Sequence, residues 1–315
     1  MDLDLSPEQA ALRDAIARIV ADTGDIPREG GVVPARTWIA AEAMERAFEA
    51  GGFFGIALEP GCGAVEAALL VEEAGRSPLA LECAGSALIG PLLTGALLPR
   101  PVAVARLTDL TRGVRFLDQA RTLVVLLDDD VAVLPVEGLE VIALTGPYAY
   151  PLGKLAAVPD LAVARRLGHG AVPELQRLWR LALALEAAAA MQATIDFTTE
   201  YVKQRQVFSR PVGSFQAVQH RLSIDAVRAR GVHWLAMKAA WSGSPLDAAL
   251  AALHAQRSLT QVVYDGHQFN GALGMTLEHA LHYWTFRLRW LGGELGGWSA
   301  QAAAAADMAW PNAAT

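Results

Sequence analysis

The sequence is poor in the residue types that build covalent or metal-bound scaffolds. Among 315 residues there are two cysteines, Cys62 and Cys83, too few for a disulfide framework or a zinc site, and a reducing cytoplasm is the expected setting. Charge is sparse as well. Only 19% of residues are charged, acids outnumber bases 33 to 26, and a net charge of −7 offers no basic field for a phosphate backbone, which excludes a nucleic-acid binder. No apolar run is long enough for a bilayer. The longest uncharged stretch, Cys83 to Pro99, contains Pro91 and the glycines 85, 90 and 95, and falls short of the roughly 20 continuous apolar residues a span requires. It is predicted as a buried helical segment. The start, MDLDLSPEQ, is acidic where a signal peptide would be basic and then apolar. Phosphate-cradling GxxxxGK[ST], GxSxG and HExxH motifs are missing, so three common enzyme classes lose their usual signature.

What is present is core. Hydrophobic residues make up 53% of the chain, which excludes disorder and suits two domains or one with an insert. Ser6, Pro7 and Gln9 form a capping-box pattern ahead of Leu12, Ile16, Ile19 and Val20 at helical spacing, predicting a first amphipathic helix. A break at Gly30 and Gly31 precedes a second helix from Trp38 to Glu49, and VEAALLVEEAGR predicts a third. From Pro99 the short β-branched runs VAVARL, TLVVLL, VAVLPV and LEVIAL, separated by turn formers, predict a small, mostly antiparallel β segment. Helices return at Leu175–Val207, Phe215–Trp241, Asp247–Gln268 and Leu277–Trp290, and an alanine-rich tail after Gly297 is expected to fray. The fold class is therefore mainly α with a small β insert, divided into helical residues 1–98, β residues 99–170, a helical bundle at 171–297 and a tail at 298–315.

Few residues declare a chemistry by themselves. His279 and His282, with Glu278 adjacent, share a helix face and could hold a metal, or be surface or interface polar groups that lack a third remote ligand. Cys62 sits in a glycine turn with nothing nearby to activate it, and reads as a small tolerated residue rather than a nucleophile. The run YVKQRQVFSRPVGSFQ, residues 201–216, places cations, an aromatic ring and a glutamine at a helix end. Such a cluster suits a diphosphate with an attached base, and equally a cationic helix C-terminus that complements the macrodipole.

Taken whole, YVKQRQVFSRPVGSFQAVQHRLSID and, in order after it, DGHQFNGALGMTLEH resemble two signatures of the acyl-CoA dehydrogenase family. Weaker similarity covers LSPEQAALRDAIARIV and ALEPGCGAVEAALLVEEAGRSPL, so the resemblance spans most of the chain. It implies an N-terminal helical domain, a middle β domain and a C-terminal four-helix bundle, with FAD held between subunits. By the same resemblance Arg205 matches an arginine on the FAD diphosphate of a neighbouring subunit, Phe208 the aromatic beside its adenine, and Gln216 a polar residue there. Gln268, Gly271 and Gly274 fall on the Q-x-x-G-G-x-G turn near the adenosine, with Ala272 and Ser209 standing where glycines are usual.

Larger departures concern the reacting centre. The segments that hold the flavin ring and acyl thioester early in the family's β domain have no counterpart after Pro99, and VRFLDQARTLVVLL resembles a later part of that domain, so its front is read as deleted. The reaction needs a carboxylate to take the α-proton of the thioester while flavin N5 accepts hydride. At one of the family's two glutamate positions this chain has Trp179 and Arg180; near the other, in LGGELGG, stands Glu294, either a base or a solvated turn carboxylate. Glu186, inside LALALEAAAA about two turns from the first position, would if buried need a partner or a raised pKa. No catalytic residue is assigned.

The expectation is a non-catalytic or half-site subunit of a heteromeric, α2β2 acyl-CoA dehydrogenase. A partner subunit with an intact β domain would bind most of the acyl-CoA, and electron-transfer flavoprotein would accept the electrons. TLEHALHYWTFRL resembles actinobacterial members that act on steroid side chains, which suggests that substrate class. The alternatives are an active homomeric enzyme using Glu294, and a cofactor-free scaffold.

Overall fold

The computed structural model describes residues 4–27 and 33–311. The Gly30–Gly31 break lies outside the described residues. Nine α-helices and nine strands are found among them. Three helices form the N-terminal layer: α1 (Pro7–Thr23), α2 (Glu42–Ala50) and α3 (Ala64–Gly75). The capping box at Ser6 and Gln9 is present, and the Gln9 side chain also donates to Glu66 at 2.8 Å, which ties α1 to α3. The second helix begins at Glu42 rather than Trp38, because Ala40 is held in a bridge to Ala80. The uncharged stretch is buried and helical only in its first part, where a single π-helical turn over 84–89 runs into α4 (Gly90–Thr94); beyond it the chain leaves the core, with Leu97 exposed.

The β segment follows. β1 (Val102–Arg106), β3 (Thr122–Leu126), β4 (Val131–Pro135) and β7 (Arg165–Arg166) form one sheet in the order β1-β3-β4-β7. β2 (Val114–Arg115), β6 (Leu152–Leu155) and β5 (Val141–Leu144) form a second. All pairs in these sheets are antiparallel except β1 with β3, which run parallel from Val102 opposite Thr122 to Arg106 opposite Leu126. The runs between turn formers are the strands; β3, TLVVL, and β4, VAVLP, are buried on both faces, whereas the apolar β5, VIAL, is half-exposed.

The bundle is built from α5 (Ala171–Gln204), then the short hairpin of β8 (Gln206–Val207) and β9 (Arg210–Pro211), then α6 (Gln216–Ser242), α7 (Pro245–Asn270) and α8 (Leu281–Gly293). Alanines make close packing possible. Ala187 to Ala190 on α5 and Ala248, Ala251, Ala252 and Ala255 on α7 are buried in one core, and α3 crosses α5 at Gly75, where a Cβ would fall 2.9 Å from that of Ala189. The last of these helices starts at Leu281, four residues later than the spacing predicts, since residues 276–280 are turns.

Residues 297–309 overturn the frayed tail. They form α9 (Gly297–Ala309), entered through left-handed backbone at Gly296 and Gly297. Alanine is the best helix former, and the run is anchored by buried Gln301, which accepts from Arg180 Nε at 2.8 Å and donates to the Leu295 carbonyl at 2.9 Å. Ala305 is buried with Gln301, and Arg257 stacks 4.7 Å from the centre of the Trp298 ring, so the low-complexity run is held at several points.

Arg287 on α8 joins the three layers. It is buried, and its guanidinium donates to the carbonyls of Ser77 (2.8 Å), Pro78 (2.6 Å) and Ala149 (3.3 Å). These belong to the turn after α3 and to the loop before β6. Arg287→Met is expected to lower the free energy of unfolding by on the order of 3 kcal/mol, as three carbonyls lose a charged donor. Urea denaturation checks this, and a loss below about 1 kcal/mol would mean that water replaces the guanidinium there.

Candidate functional site

Two regions carry the sequence-predicted residues. The first is one end of the bundle. Helix α5 stops at Gln204, although the Arg205 N–H still reaches the Tyr201 carbonyl at 2.9 Å, and the chain turns through Phe208 and Ser209, both left-handed (φ 53° and 62°). A hairpin loop of two positive-φ residues favours asparagine and glycine, so this one is strained. It turns Phe208 outward, 87% exposed. The Arg205 side chain has no ion pair or hydrogen bond among the described residues, whereas Arg210 is stacked 3.9 Å from the centre of the Phe215 ring. Gln216 opens α6 and is exposed.

The end of α7 lies at the same end of the bundle, because Asn270 donates to the Thr198 hydroxyl at 3.0 Å and so clamps α7 to α5. Exposed Gln268 and Gly271 line a groove of about 830 Å³ with Tyr264, Met275, Arg289 and Trp298. Arg205, Phe208, Gln216 and Gly274 do not line it. The two glycines differ in their reasons. Gly271 is left-handed (φ 60°) and a Cβ there would meet open space, while a Cβ at Gly274 would fall 2.7 Å from the Asn270 Cβ. By the resemblance, Arg205 and Phe208 at the end of α5 and Gln268 and Gly271 in the groove would hold the adenosine diphosphate half of FAD, and the open space at Gly271 and the exposed ring of Phe208 suit that group.

The second region was only partly foreseen. Arg115, on β2, reaches between two carboxylates. Its Nη1 donates to Glu186 on α5 at 3.0 Å and its Nη2 to Glu294 after α8 at 3.1 Å; the Trp179 indole donates to the same Glu294 oxygen at 2.6 Å. All three charged side chains are at most 13% exposed. Glu186 is thus buried and has both the partner and the raised pKa its setting demands: burial pushes its carboxyl up, Arg115 opposes this and Glu294 adds to it. For Arg115 burial acts downward, and Glu186 followed by Glu294 more than offset it, holding the guanidinium above its ordinary value. One oxygen each of Glu186 and Glu294 stays buried without a hydrogen-bond partner. Glu294 also lines a cavity of about 400 Å³ with Trp179, Trp290 and Tyr148. Nothing local marks Arg115, a lone arginine between Val114 and Phe116 in a two-residue strand.

The other candidates resolve simply. Among the described residues no three His, Cys, Asp or Glu side chains could share a metal. His279 packs edge-on against Phe197 and Tyr201, and His282 turns its ring nitrogens to the carbonyls of His279 (2.8 Å) and Arg36 (2.9 Å), so both are interior rather than surface groups. The Cys62 thiol is pushed up by desolvation and by Glu66 and Glu59, away from thiolate reactivity. No described helix is long and apolar enough to cross a membrane.

A raised carboxyl pKa in the folded state means that folding binds a proton there. The resulting stability is complete below the unfolded pKa, near 4.5, and is lost as pH rises through the folded value. Glu186→Gln, which cannot ionise, should therefore gain stability relative to the unaltered protein as pH is raised from about 5 to about 8. Thermal unfolding across that range checks it; a difference that does not vary with pH would show that Glu186 is ionised throughout.

Residues 175–294 match the family model described as acyl-CoA dehydrogenase, C-terminal domain. The chain is 28% identical over 228 residues to the acyl-CoA dehydrogenase IpdE2 of Mycobacterium tuberculosis, covering 69% of each. It superposes on a chain of the ChsE4-ChsE5 complex of Mycobacterium tuberculosis with a TM-score of 0.80 at 19% identity, covering 98% of this chain and 99% of that one. The Tcur3481-Tcur3483 steroid ACAD variant gives 0.79 at 22% identity, with coverage of 98% and 99%. The fold is that of the acyl-CoA dehydrogenases across the described chain, and residues 175–294, which hold the two signatures that first suggested the resemblance, match the C-terminal domain of that family.

Proposed function

We propose that this chain is one subunit of a heteromeric FAD-dependent acyl-CoA dehydrogenase, contributing to an FAD site at the subunit interface without supplying the catalytic base. The reaction is α,β-desaturation of an acyl-CoA thioester with a steroid or other bulky side chain. FAD, when bound, accepts the hydride. A second acyl-CoA dehydrogenase-like subunit with an intact β domain binds most of the acyl-CoA and holds the flavin ring, and electron-transfer flavoprotein is the acceptor. The observation that carries this reading is the pairing of Glu294. Its Oε1 receives both a guanidinium and an indole N–H, so the carboxylate is oriented by its own chain and its charge is committed to Arg115. A general base instead needs its lone pair directed at the substrate α-carbon. Support for a heteromeric, steroid-directed assembly comes from the neighbours, one a ChsE4-ChsE5 complex and another a steroid ACAD. Support for the interface role comes from Arg205 and Phe208, which stand exposed with no ion pair or ring contact among the described residues.

Arg205→Ala is expected to lower FAD retention in the assembled complex by about ten- to a hundredfold in affinity, the worth of one charge-assisted bidentate contact. Flavin content after dialysis reads it, and equal retention would favour a cofactor-free scaffold. Glu294→Gln keeps the size and the acceptor oxygen, and should leave turnover of the complex within about threefold, because a true base would contribute about 10²- to 10⁴-fold. Steady-state assay with an artificial electron acceptor separates these outcomes. A fall beyond about a hundredfold with assembly and flavin unchanged would make Glu294 the base of an active subunit.

A further inference from the structure

Three histidine side chains meet where the turn of residues 271–280 joins α7 to α8. His267 lies in the last turn of α7, His279 near the end of the connecting turn, and His282 in the first turn of α8. None of them belongs to the ion-pair network around Arg115 or to the residues matched to the cofactor. His267 Nδ1 donates to the Gly274 carbonyl at 2.9 Å, which pins the turn to α7, and its Nε2 lies 3.1 Å from the Thr285 hydroxyl. His282, 1% exposed, turns its nitrogens to the carbonyls of His279 and, in the segment before α2, Arg36. A carbonyl has no proton to give, so both contacts are hydrogen bonds only if each nitrogen of that ring carries one. His279 sits against the rings of Phe197 and Tyr201 on α5, and its Nδ1 is buried without a hydrogen-bond partner.

The surroundings give this cluster no counter-charge. The groups that face it are Arg289, Tyr283 and Arg287 on α8, Arg36 before α2 and Tyr201 on α5. Glu278, next to His279 in sequence, is exposed and forms no ion pair among the described residues, and Asp265, the nearest acid along α7, is committed to Arg221. Burial pushes His267 below its ordinary value; the Gly274 hydrogen bond opposes this, and Arg289 and His282 reinforce it. Burial likewise lowers His279, with His282 and His267 adding to the effect. Histidines held down in this way bind a proton less readily when the turn is closed than when it is open. The stability they contribute is complete above the open-state value, near 6.5, and is lost as pH falls below it.

We propose that these histidines form an acid-sensitive catch on the turn between α7 and α8, closed while His267 and His279 are neutral and opened when acid protonates them. His279 is the trigger. Neutral, it can leave Nδ1 as a bare lone pair among the rings; protonated, it carries an N–H there with no acceptor, and the faces of Phe197 and Tyr201 return only part of the cost. A protonated His267 stands against Arg289 and His282. Opening is local, because Asn270 clamps the end of α7 to α5 ahead of the turn. Gly271, on the turn, lines the groove beside Tyr264 and Trp298, so acid loosens one wall of that groove. The catch belongs to this chain alone and needs neither FAD nor a partner, so its failure and that of the proposed function are separable.

The test is amide hydrogen exchange of the full chain at about pH 7.5 and about pH 5.5, expressed as protection so that the intrinsic pH dependence of exchange cancels. Segment 271–285 should lose about tenfold in protection for each titrating histidine, ten- to a hundredfold in all, while residues 187–190 in the middle of α5 keep theirs. His279→Phe keeps a ring against α5, His267→Gln keeps a donor for the Gly274 carbonyl, and neither new side chain titrates. The double variant should show no selective loss at the lower pH. If it does not retain helical circular dichroism, His267→Gln alone replaces it and should reduce the loss by about tenfold. No loss in 271–285, an equal loss in 187–190, or the same loss in variant and unaltered chains would overturn the proposal.

Discussion

A guanidinium as buried as that of Arg115 can stay charged only if counter-charge is buried with it, and this requirement fixes how the β segment meets the bundle. Glu186 comes from the middle of α5 and Glu294 from the turn after α8, 3.0 and 3.1 Å from the two ends of one guanidinium. β2 contributes little else; it is two residues long and pairs only with β6. A trio of apolar residues would fill the same space at less desolvation cost. What the charged trio adds is registry, since one arginine can satisfy both carboxylates in a single arrangement of strand, helix and turn. Leu295, left-handed at φ 55° next to Glu294, is the local strain that this arrangement holds in place.

The two ends of the chain's chemistry are treated oppositely. In the belt around Arg115 the charges are turned inward, Arg115 to Glu186 and Glu294 and Arg287 to three carbonyls, with Tyr150 stacked 4.8 Å from the Arg115 guanidinium. At the end of α5 the charges are turned outward. Phe208 and Ser209 occupy left-handed backbone, each at a cost of about 1–2 kcal/mol for an L-residue, and the outcome is an aromatic ring in solvent beside an unpaired arginine. Strain that exposes an apolar side chain has no internal compensation, so its reason lies with whatever covers it. Strain at Leu295 is compensated within the chain.

Legibility follows from range. Helices with long apolar periodicity and short β-branched runs were readable because periodicity is local, and so were Ser6 with Gln9 and the glycine turn at Gly271. The composition of residues 298–309 misled, because alanine repeats look featureless while the contacts that hold the helix, through Trp298, Gln301 and Ala305, are to residues distant in sequence or carry no pattern. Glu186 was recognisable as a residue needing a partner. Its partner was not recognisable, since Arg115 lies 71 positions away and nothing about an arginine in a short strand says which face it takes. Gly274 belonged to a recognised turn, yet the backbone freedom that distinguishes Gly271 is not what Gly274 supplies; it makes room for the Asn270 Cβ.

Trp179 and Glu294 lie 115 positions apart and were weighed as alternatives, one at each place where the family resemblance puts a glutamate. In space they are a single locus, with the indole N–H 2.6 Å from the carboxylate oxygen. That contact explains why a chain would carry a residue such as tryptophan at the first position once a carboxylate occupies the second. Two carboxylates in contact would repel and one would have to take up a proton, whereas an indole can only donate, and its donation orients Glu294 toward Arg115. The residue at 179 therefore acts on what Glu294 can do. With a donor there and a guanidinium opposite, Glu294 is held in a buried ion pair, and in the proposed heteromeric enzyme the substrate proton would go to a carboxylate of the partner subunit.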